Sequence, residues 1–95
     1  MKRPYIVCAG QYGRAVIFGW AETEPIPGQP YRLHRARMIL RFARTGLHGH
    51  AARGPVEGTR MTSAVTVDAG EAVRQVLHVS ASAAAALDAW PAWEG

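Results

Sequence analysis

The stretch "PYIVCAGQYGRAVIFGWAE", residues 4–22, decides the fold. It holds two runs rich in β-branched and aromatic residues, and "GQYG" between them, residues 10–13, supplies two glycines that permit the positive φ angles of a tight connection. The stretch therefore predicts a β-hairpin. The next segment, "TEPIPGQP", residues 23–30, predicts a loop, because its three prolines cannot donate to a β-ladder or continue a helix.

Three further strands are predicted after that loop. "YRLHRARMILRF", residues 31–42, begins with an alternation that places Tyr31, Leu33 and Arg35 on one face. Its apolar second half fits either a buried strand or a turn of helix, and the sequence leaves both open. The last two strands are "SAVTVDAG" and "EAVRQVLHVS", residues 63–70 and 71–80.

Two short helices complete the predicted elements. "RTGLHGHAARG" fits a weak helix with Thr45 as N-cap and Gly54 just past its end, although its internal glycines disfavour helix. The alanine-rich "SAAAALDAW" predicts a second helix, capped by Ser80 or Ser82 and ended by Pro91.

Length and composition indicate one folded domain. The chain has 95 residues, of which 48% are hydrophobic and 19% charged, and these are ordinary values for a single globular domain. The fold class predicted for residues 1–95 is α+β, a small antiparallel sheet of about five strands with one or two short helices.

The cysteine content and the N-terminus limit the classes of protein. Cys8 is the single cysteine, which excludes an intramolecular disulfide and the usual zinc spacings. Because Cys8 lies in an apolar strand, we expect a buried and inert thiol. The apolar run near the N-terminus is too short for a signal peptide or a membrane span, so no membrane contact is expected.

Positive charge is concentrated in one third of the chain. The net charge is +4, and residues 32–60 carry seven arginines against one glutamate, whereas the rest of the chain has four basic and six acidic residues. The basic segment "YRLHRARMILRFARTGLHGHAARG", residues 31–54, has six arginines, three histidines and no acidic residue. Three interpretations are open: a solvated face, a site for a nucleotide-derived anion, and a nucleic-acid-binding face.

The ligand-site interpretation selects seven residues of the basic segment. Arginine makes bidentate contacts to phosphate or carboxylate, and Arg37 and Arg41 flank an apolar cluster that can hold them by packing. His48 and His50 are two residues apart and would point the same way in an extended segment. A metal site with a further histidine is the less favoured interpretation, so no metal and no cofactor is predicted. The predicted ligand-binding set is Tyr31, Arg35, Arg37, Arg41, Arg44, His48 and His50.

The acidic residues argue against an enzyme that works through carboxylates. The seven acidic residues stand at positions 22, 24, 57, 68, 71, 88 and 94, and none lies in the basic segment. General acid–base catalysis by carboxylates needs two of them held close together. We therefore expect a non-enzymatic protein.

The C-terminal "WPAW", residues 90–93, brings a large apolar area to a part of the chain that normally frays. We expect its two tryptophans to be packed. They can pack on the domain itself or at the interface of a homo-oligomer, and a small domain gains stability from such an interface.

Five runs follow one another nearly throughout the chain: "AGQYGRAVIFGW", "LHRARMILRFARTGLHGHAARG", "SAVTV", "AVRQVLHVS" and "AAAALDAWPAWEG". In their order and residues they resemble a family of small uncharacterised proteins encoded mainly by phages and prophages. That family has an Ala-Arg-Arg-Ile-x-x-Trp segment, a small-residue helix, two strands, a helix and a terminal tryptophan. Ala36, Arg37 and Ile39 match the segment, whereas Met38 and Phe42 stand where arginine and tryptophan are typical. The resemblance implies a viral origin and, by itself, no activity.

The resemblance and the basic segment together give the predicted function. We expect a phage-type accessory protein, non-enzymatic, that binds and sequesters an anionic nucleotide-like small molecule in a counter-defence role. The alternatives are a virion structural or protein-interaction protein and a nucleic-acid-binding protein. The expected partners are the small anionic ligand and further copies of the chain, and the expected location is the host cytoplasm.

Overall fold

The computed structural model describes residues 1–10, 15–41, 46–69 and 73–93. Within these ranges the chain forms six antiparallel strands and two helices, which confirms the predicted α+β class. In chain order the elements are β1 (Arg3–Ala9), β2 (Ala15–Ala21), β3 (Tyr31–Arg41), α1 (Gly46–Arg53), β4 (Arg60–Met61), β5 (Val65–Ala69), β6 (Val73–His78) and α2 (Ala81–Ala89).

β1 and β2 form the predicted hairpin at the centre of the sheet. They pair from Arg3 opposite Ala21 to Ala9 opposite Ala15. The tip of the hairpin, residues 11–14, lies outside the described residues. β6 pairs with the other side of β1, and β3 pairs with the other side of β2. The proline-rich segment between β2 and β3 is a loop, as predicted.

β3 is the longest strand and has three neighbours. One edge pairs with β2, while the other pairs with β5 along its first part and with β4 near its end. The strand continues through Arg41, so the apolar cluster in its second half is strand and not helix. Ile39 is buried whereas Met38 and Leu40 are exposed, as expected for a strand with one buried face.

A bulge at Arg35 interrupts the alternation of β3. Arg35 has a φ of 49°, and the pairing with β5 shifts register between Leu33 and Ala36. The extra residue moves Ala36 into the interior beside Leu33 and Tyr31, and Arg35 is exposed instead. The prediction that Arg35 shares a face with Tyr31 and Leu33 is therefore wrong, because a bulge reverses the two-residue period beyond it.

The sheet is curled, because its two end strands are consecutive in the chain. The order of strands is β5-β3-β2-β1-β6, so a flat sheet with about 4.8 Å between strands would hold β5 and β6 about 19 Å apart. The chain from Ala69 to Val73 spans at most about 14 Å, since four peptide units reach no further. The sheet must curl so that β5 and β6 approach each other.

Two hydrophobic cores lie on the two faces of this sheet. The helix-side core lies between the sheet and the helices and consists of Ile6, Phe18, Ile39, Ala51, Met61, Leu77, Val79, Ala83, Ala84 and Leu87. The concave core lies on the opposite face and consists of Tyr5, Val7, Ala9, Ile17, Ala21, Tyr31, Leu33, Ala36 and Val73. β1 and β2 are thus buried on both faces along most of their length.

Both helices end as the sequence predicts. α1 stops at Gly54, whose φ of +90° allows its N–H to donate to the carbonyl of His50 at 3.0 Å. Thr45, its predicted N-cap, lies outside the described residues. Of the two candidate caps of α2, Ser80 is the N-cap: its hydroxyl accepts from the N–H of Ala83 at 3.1 Å.

Trp90 of the C-terminal tail packs on the domain, which is one of the two alternatives predicted, whereas Trp93 is 45% exposed. The indole of Trp90 donates to the carbonyl of Thr59 at 2.9 Å, and its ring packs on the helix-side core. Ala92 pairs with Met61 in a parallel bridge, and the N–H of Trp93 donates to the carbonyl of Met61 at 2.8 Å. The tail therefore forms a further edge beside β4. The homo-oligomer stays a prediction.

None of the helices in the described ranges is long and apolar enough to cross a membrane.

Candidate functional site

Arg37 is the most deeply buried of the predicted ligand arginines that the structure describes. Only 4% of its surface is exposed. Its Nε donates to the carbonyl of Thr62 at 2.7 Å, and its Nη1 donates to the carbonyls of Leu87 at 2.6 Å and Asp88 at 3.3 Å. Burial lowers the pKa of its guanidinium, and the charge of Asp88 opposes that shift. Arg37 thus caps the C-terminal end of α2, where unpaired carbonyls favour a cation.

Arg35 belongs to a second polar cluster, beside the same end of α2. Its guanidinium lies 4.7 Å from the centre of the Trp20 ring and 3.8 Å from the Asp88 carboxylate. The indole N–H of Trp20 donates to both oxygens of Asp88, at 3.1 and 3.2 Å. The positive charge of Arg35 is therefore matched by a carboxylate, which makes this cluster a poor site for a further anion.

His48 and His50 lie on opposite sides of α1. Residues two apart in a helix are rotated by about 200°, so the expectation for an extended segment does not apply. His48 is exposed, whereas His50 is fully buried. The Nδ1 of His50 donates to the carbonyl of Gly46 at 2.6 Å, and its Nε2 hydrogen-bonds the hydroxyl of Thr59 at 2.9 Å. His50 therefore joins α1 to the segment before β4.

Tyr31 contributes to the concave core and to the wall of a surface cleft. The cleft has a volume of about 460 Å³ and lies between the loop after β2 and the start of β3. Two of its lining residues are the carboxylates Glu22 and Glu24, and Glu24 pairs with His78 at 2.7 Å. Of the arginines, Arg32 lines the cleft. The size of the cleft suits a small ligand, but its acidic lining does not suit an anion.

Two exposed arginines meet at the end of the sheet. Arg41 of β3 lies opposite Arg60 of β4 at a bulge, where the register shifts between Ile39 and Arg41, and both arginines are exposed. The guanidinium of Arg60 lies 5.0 Å from the centre of the Trp93 ring, which is 45% exposed. In the described part of the chain, no carboxylate lies within 4.0 Å of either guanidinium. We call Arg41, Arg60 and Trp93 the arginine–tryptophan surface.

The predicted ligand residues do not converge on one site. Arg37 and His50 bond to this chain's own groups, Arg35 is paired with Asp88, and Arg44 lies outside the described residues. Arg41 remains with an exposed guanidinium. The sequence-based prediction omitted Arg60 and Trp93, whose proximity depends on the pairing of the tail with β4. Their only sequence signals were the basic charge of Arg60 and the aromatic tail.

The described residues do not form a cluster of metal-ligating side chains. They contain no group of three or more histidine, cysteine, aspartate or glutamate side chains placed to hold one ion.

The Cys8 thiol is buried, as predicted, with 5% of its surface exposed. Burial raises its pKa above the ordinary value of 9.0, so the thiolate is disfavoured. The part of the free energy of unfolding that depends on this thiol is constant below pH 9.0 and falls as the pH rises above that value.

We expect a thiol reagent to modify the native protein slowly, because Cys8 is buried, and the urea-unfolded protein fully. We also expect Cys8→Ala to lower the free energy of unfolding by about 1 kcal/mol. Rapid modification of the native protein at pH 7 would contradict this.

Comparison of the chain with protein-family models, with curated proteins and with solved structures found no match. The resemblance to small phage proteins therefore stays a prediction.

Proposed function

We propose that the protein is a non-enzymatic binder of phosphate-bearing, nucleotide-type ligands, and that the arginine–tryptophan surface is its site. The observation that carries the proposal is the direct opposition of Arg41 and Arg60 beside the half-exposed ring of Trp93. One guanidinium group can donate to two phosphate oxygens at once, and an indole ring stacks on a base. Both chemical groups of a nucleotide thus have a counterpart here.

The electrostatics of the arginine pair favour a bound anion. Like charges directly opposite each other on neighbouring strands destabilise a sheet, by about 0.2–1 kcal/mol for an exposed pair. Arg35, which is also exposed on β3, is paired with the Asp88 carboxylate. Arg41 and Arg60 have no such carboxylate among the described residues. A phosphate between them would convert the repulsion into two attractive contacts.

The arginine–tryptophan surface is open, and this bears on whether the protein can sequester a small ligand. A pocket that sequesters a small molecule encloses most of its surface. The cleft of about 460 Å³ has carboxylates in its wall, and a shallower one of about 440 Å³ lies beside His48. Neither is lined by Arg41 or Arg60. Removal of a free nucleotide from circulation by a viral accessory protein stays a prediction.

The proposal predicts that Arg41 and Arg60 contribute more to the affinity for nucleotides than another exposed arginine does. We expect Arg41→Gln and Arg60→Gln each to weaken binding tenfold or more, because losing a bidentate contact to an anion costs about 1.5–3 kcal/mol. Arg53→Gln is the matched control, since Arg53 is an exposed arginine at the end of α1. Its affinity should stay within about twofold of the wild type. The measurement is calorimetric titration with cyclic and linear nucleotides, with circular dichroism to confirm the fold.

Two results would contradict the proposal. If no nucleotide gives heat with the wild type, the surface does not bind this class of ligand. If all three variants lose affinity equally and salt abolishes binding, the basic segment is a solvated face with only diffuse attraction for anions.

A further inference from the structure

An exposed apolar strip of β3 lies beside the arginine–tryptophan surface. Met38 and Leu40 are exposed by 39% and 45%, and both alternate with Ile39, which is buried in the helix-side core. Arg60 alternates in the same way with Met61, which is buried in that core too. Because neighbouring residues of a strand project to opposite faces, Met38 and Arg60 project from the face opposite the helices. The register shift between Ile39 and Arg41 places both Leu40 and Arg41 across from Arg60.

The backbone beneath the strip is held by hydrogen bonds to the next segment. The N–H of Met38 donates to the hydroxyl of Thr62 at 2.9 Å, and the N–H of Thr62 donates to the carbonyl of Met38 at 3.0 Å. The N–H of Trp93 donates to the carbonyl of Met61, which adjoins both Arg60 and Thr62. β3, β4 and the tail are thus joined side by side, and their exposed side chains form one continuous surface.

We propose that this surface binds single-stranded nucleic acid, with phosphates at Arg41 and Arg60 and unpaired bases on Trp93, Met38 and Leu40. The inference rests on the proposed function and names its ligand class. Charge complementarity supports this occupant, since the chain carries a net charge of +4 and the surface has two arginines without a described carboxylate.

The apolar strip selects for unpaired bases. In a duplex the faces of the bases are stacked on one another, so a protein surface meets mainly phosphates and groove edges. In a single strand the base faces are accessible and pack on aromatic or apolar side chains. Arginines alone would serve either form, but exposed Met38, Leu40 and Trp93 have a favourable partner only in the unpaired form.

The extent of the surface favours a chain of nucleotides over a single one. Met38 and Leu40 are about 7 Å apart along β3, and two spacings between β3, β4 and the tail add about 10 Å across the sheet. A strand advances about 3.4 Å per nucleotide in a duplex and further when its bases are unstacked, so the surface matches at most about three nucleotides.

The test is fluorescence anisotropy with a labelled single strand of about 12 nucleotides without self-complementarity, and with the duplex of the same sequence. We expect the single strand to bind the full-length wild type about tenfold more tightly than the duplex, and a mononucleotide or inorganic polyphosphate to compete poorly at equal phosphate concentration. Trp93→Ala should weaken single-strand binding about tenfold. The double substitution Met38→Ser with Leu40→Ser should weaken it about fivefold without changing its salt dependence.

Arg60→Gln should lower the slope of log affinity against log salt by about 1, which separates the phosphate contact from the apolar ones. Ile26→Ser is the matched control for the apolar strip, because Ile26 is 55% exposed but lies in the loop after β2, and it should leave affinity unchanged. Equal binding of duplex and single strand, or full competition by polyphosphate, would overturn the single-strand inference and leave the phosphate site in place. No binding of any nucleotide or oligonucleotide would overturn both.

Discussion

Arg37→Met is expected to lower the free energy of unfolding by about 3–4 kcal/mol, a large part of the roughly 5–15 kcal/mol typical of a native domain. Methionine fills much of the same volume but donates no hydrogen bond. Replacing a buried ion pair by apolar groups is often harmless, because both charges leave together. Here the partners are the backbone carbonyls of Thr62, Leu87 and Asp88, which no substitution removes. They would remain with fewer donors, at about 1–3 kcal/mol for each buried group.

Urea unfolding followed by circular dichroism measures this effect. Arg41→Met is the matched control: the same substitution, four residues further along β3, at an exposed position where we expect a change within about 0.5 kcal/mol. Arg37→Lys should recover only part of the loss, since an ammonium group lacks the planar fork that reaches carbonyls in two directions. A fully stable Arg37→Met variant that no longer bound nucleotides would instead support Arg37 as a ligand residue.

Gly19→Val is expected to lower the free energy of unfolding by about 3 kcal/mol, because the added side chain would clash with β3. A Cβ at Gly19 would lie 2.9 Å from the Cβ of Leu33 and 3.3 Å from the Cα of Ala36. One of these contacts is with backbone, so a shift of a flexible side-chain end cannot relieve it. The missing side chain allows β3 to pass close to β2 beside the bulge, where the register shifts between Phe18 and Trp20.

Gly28→Ala is the control that separates the effect of a steric clash from the effect of a positive φ angle. Gly28 has a φ of +86°, but a Cβ there would meet nothing within 4 Å. Its substitution should therefore cost only about 1–2 kcal/mol, the penalty of a left-handed conformation. Thermal or urea unfolding of both variants gives the comparison. A Gly19→Val variant no less stable than Gly28→Ala would show that β3 can move away from β2 without loss.

The elements of the fold were predictable because their signals are local. The hairpin, the proline-rich loop and the alanine-rich helix follow from patterns within about ten residues. The bulge at Arg35 was not predictable, since nothing in "LHRAR" marks an inserted residue. The second half of β3 was left open between strand and helix because four apolar residues in a short run fit both.

The candidate site was predictable only in part, because charge in the sequence does not reveal burial. Arg37 and Arg41 looked alike as arginines beside an apolar cluster, but the helix-side face of β3 directs Arg37 to the end of α2. The basic composition identified the right third of the chain. The proximity of Arg60 and Trp93 requires contacts between residues more than thirty positions apart, and no local pattern encodes it.

The pairing of β6 with β1 has a consequence for the nascent chain during its synthesis on the ribosome. Tyr5 pairs with His78, so one side of β1 has no partner until β6 has been made. Synthesis from Ala21 to His78 takes roughly 3–11 s at about 5–20 residues per second. During that interval an apolar strand that includes Ile6 and Val7 presents an open edge, the type of surface on which nascent chains associate and chaperones act. Lys2 and Arg3, at the start of that strand, place two positive charges where they repel a second copy.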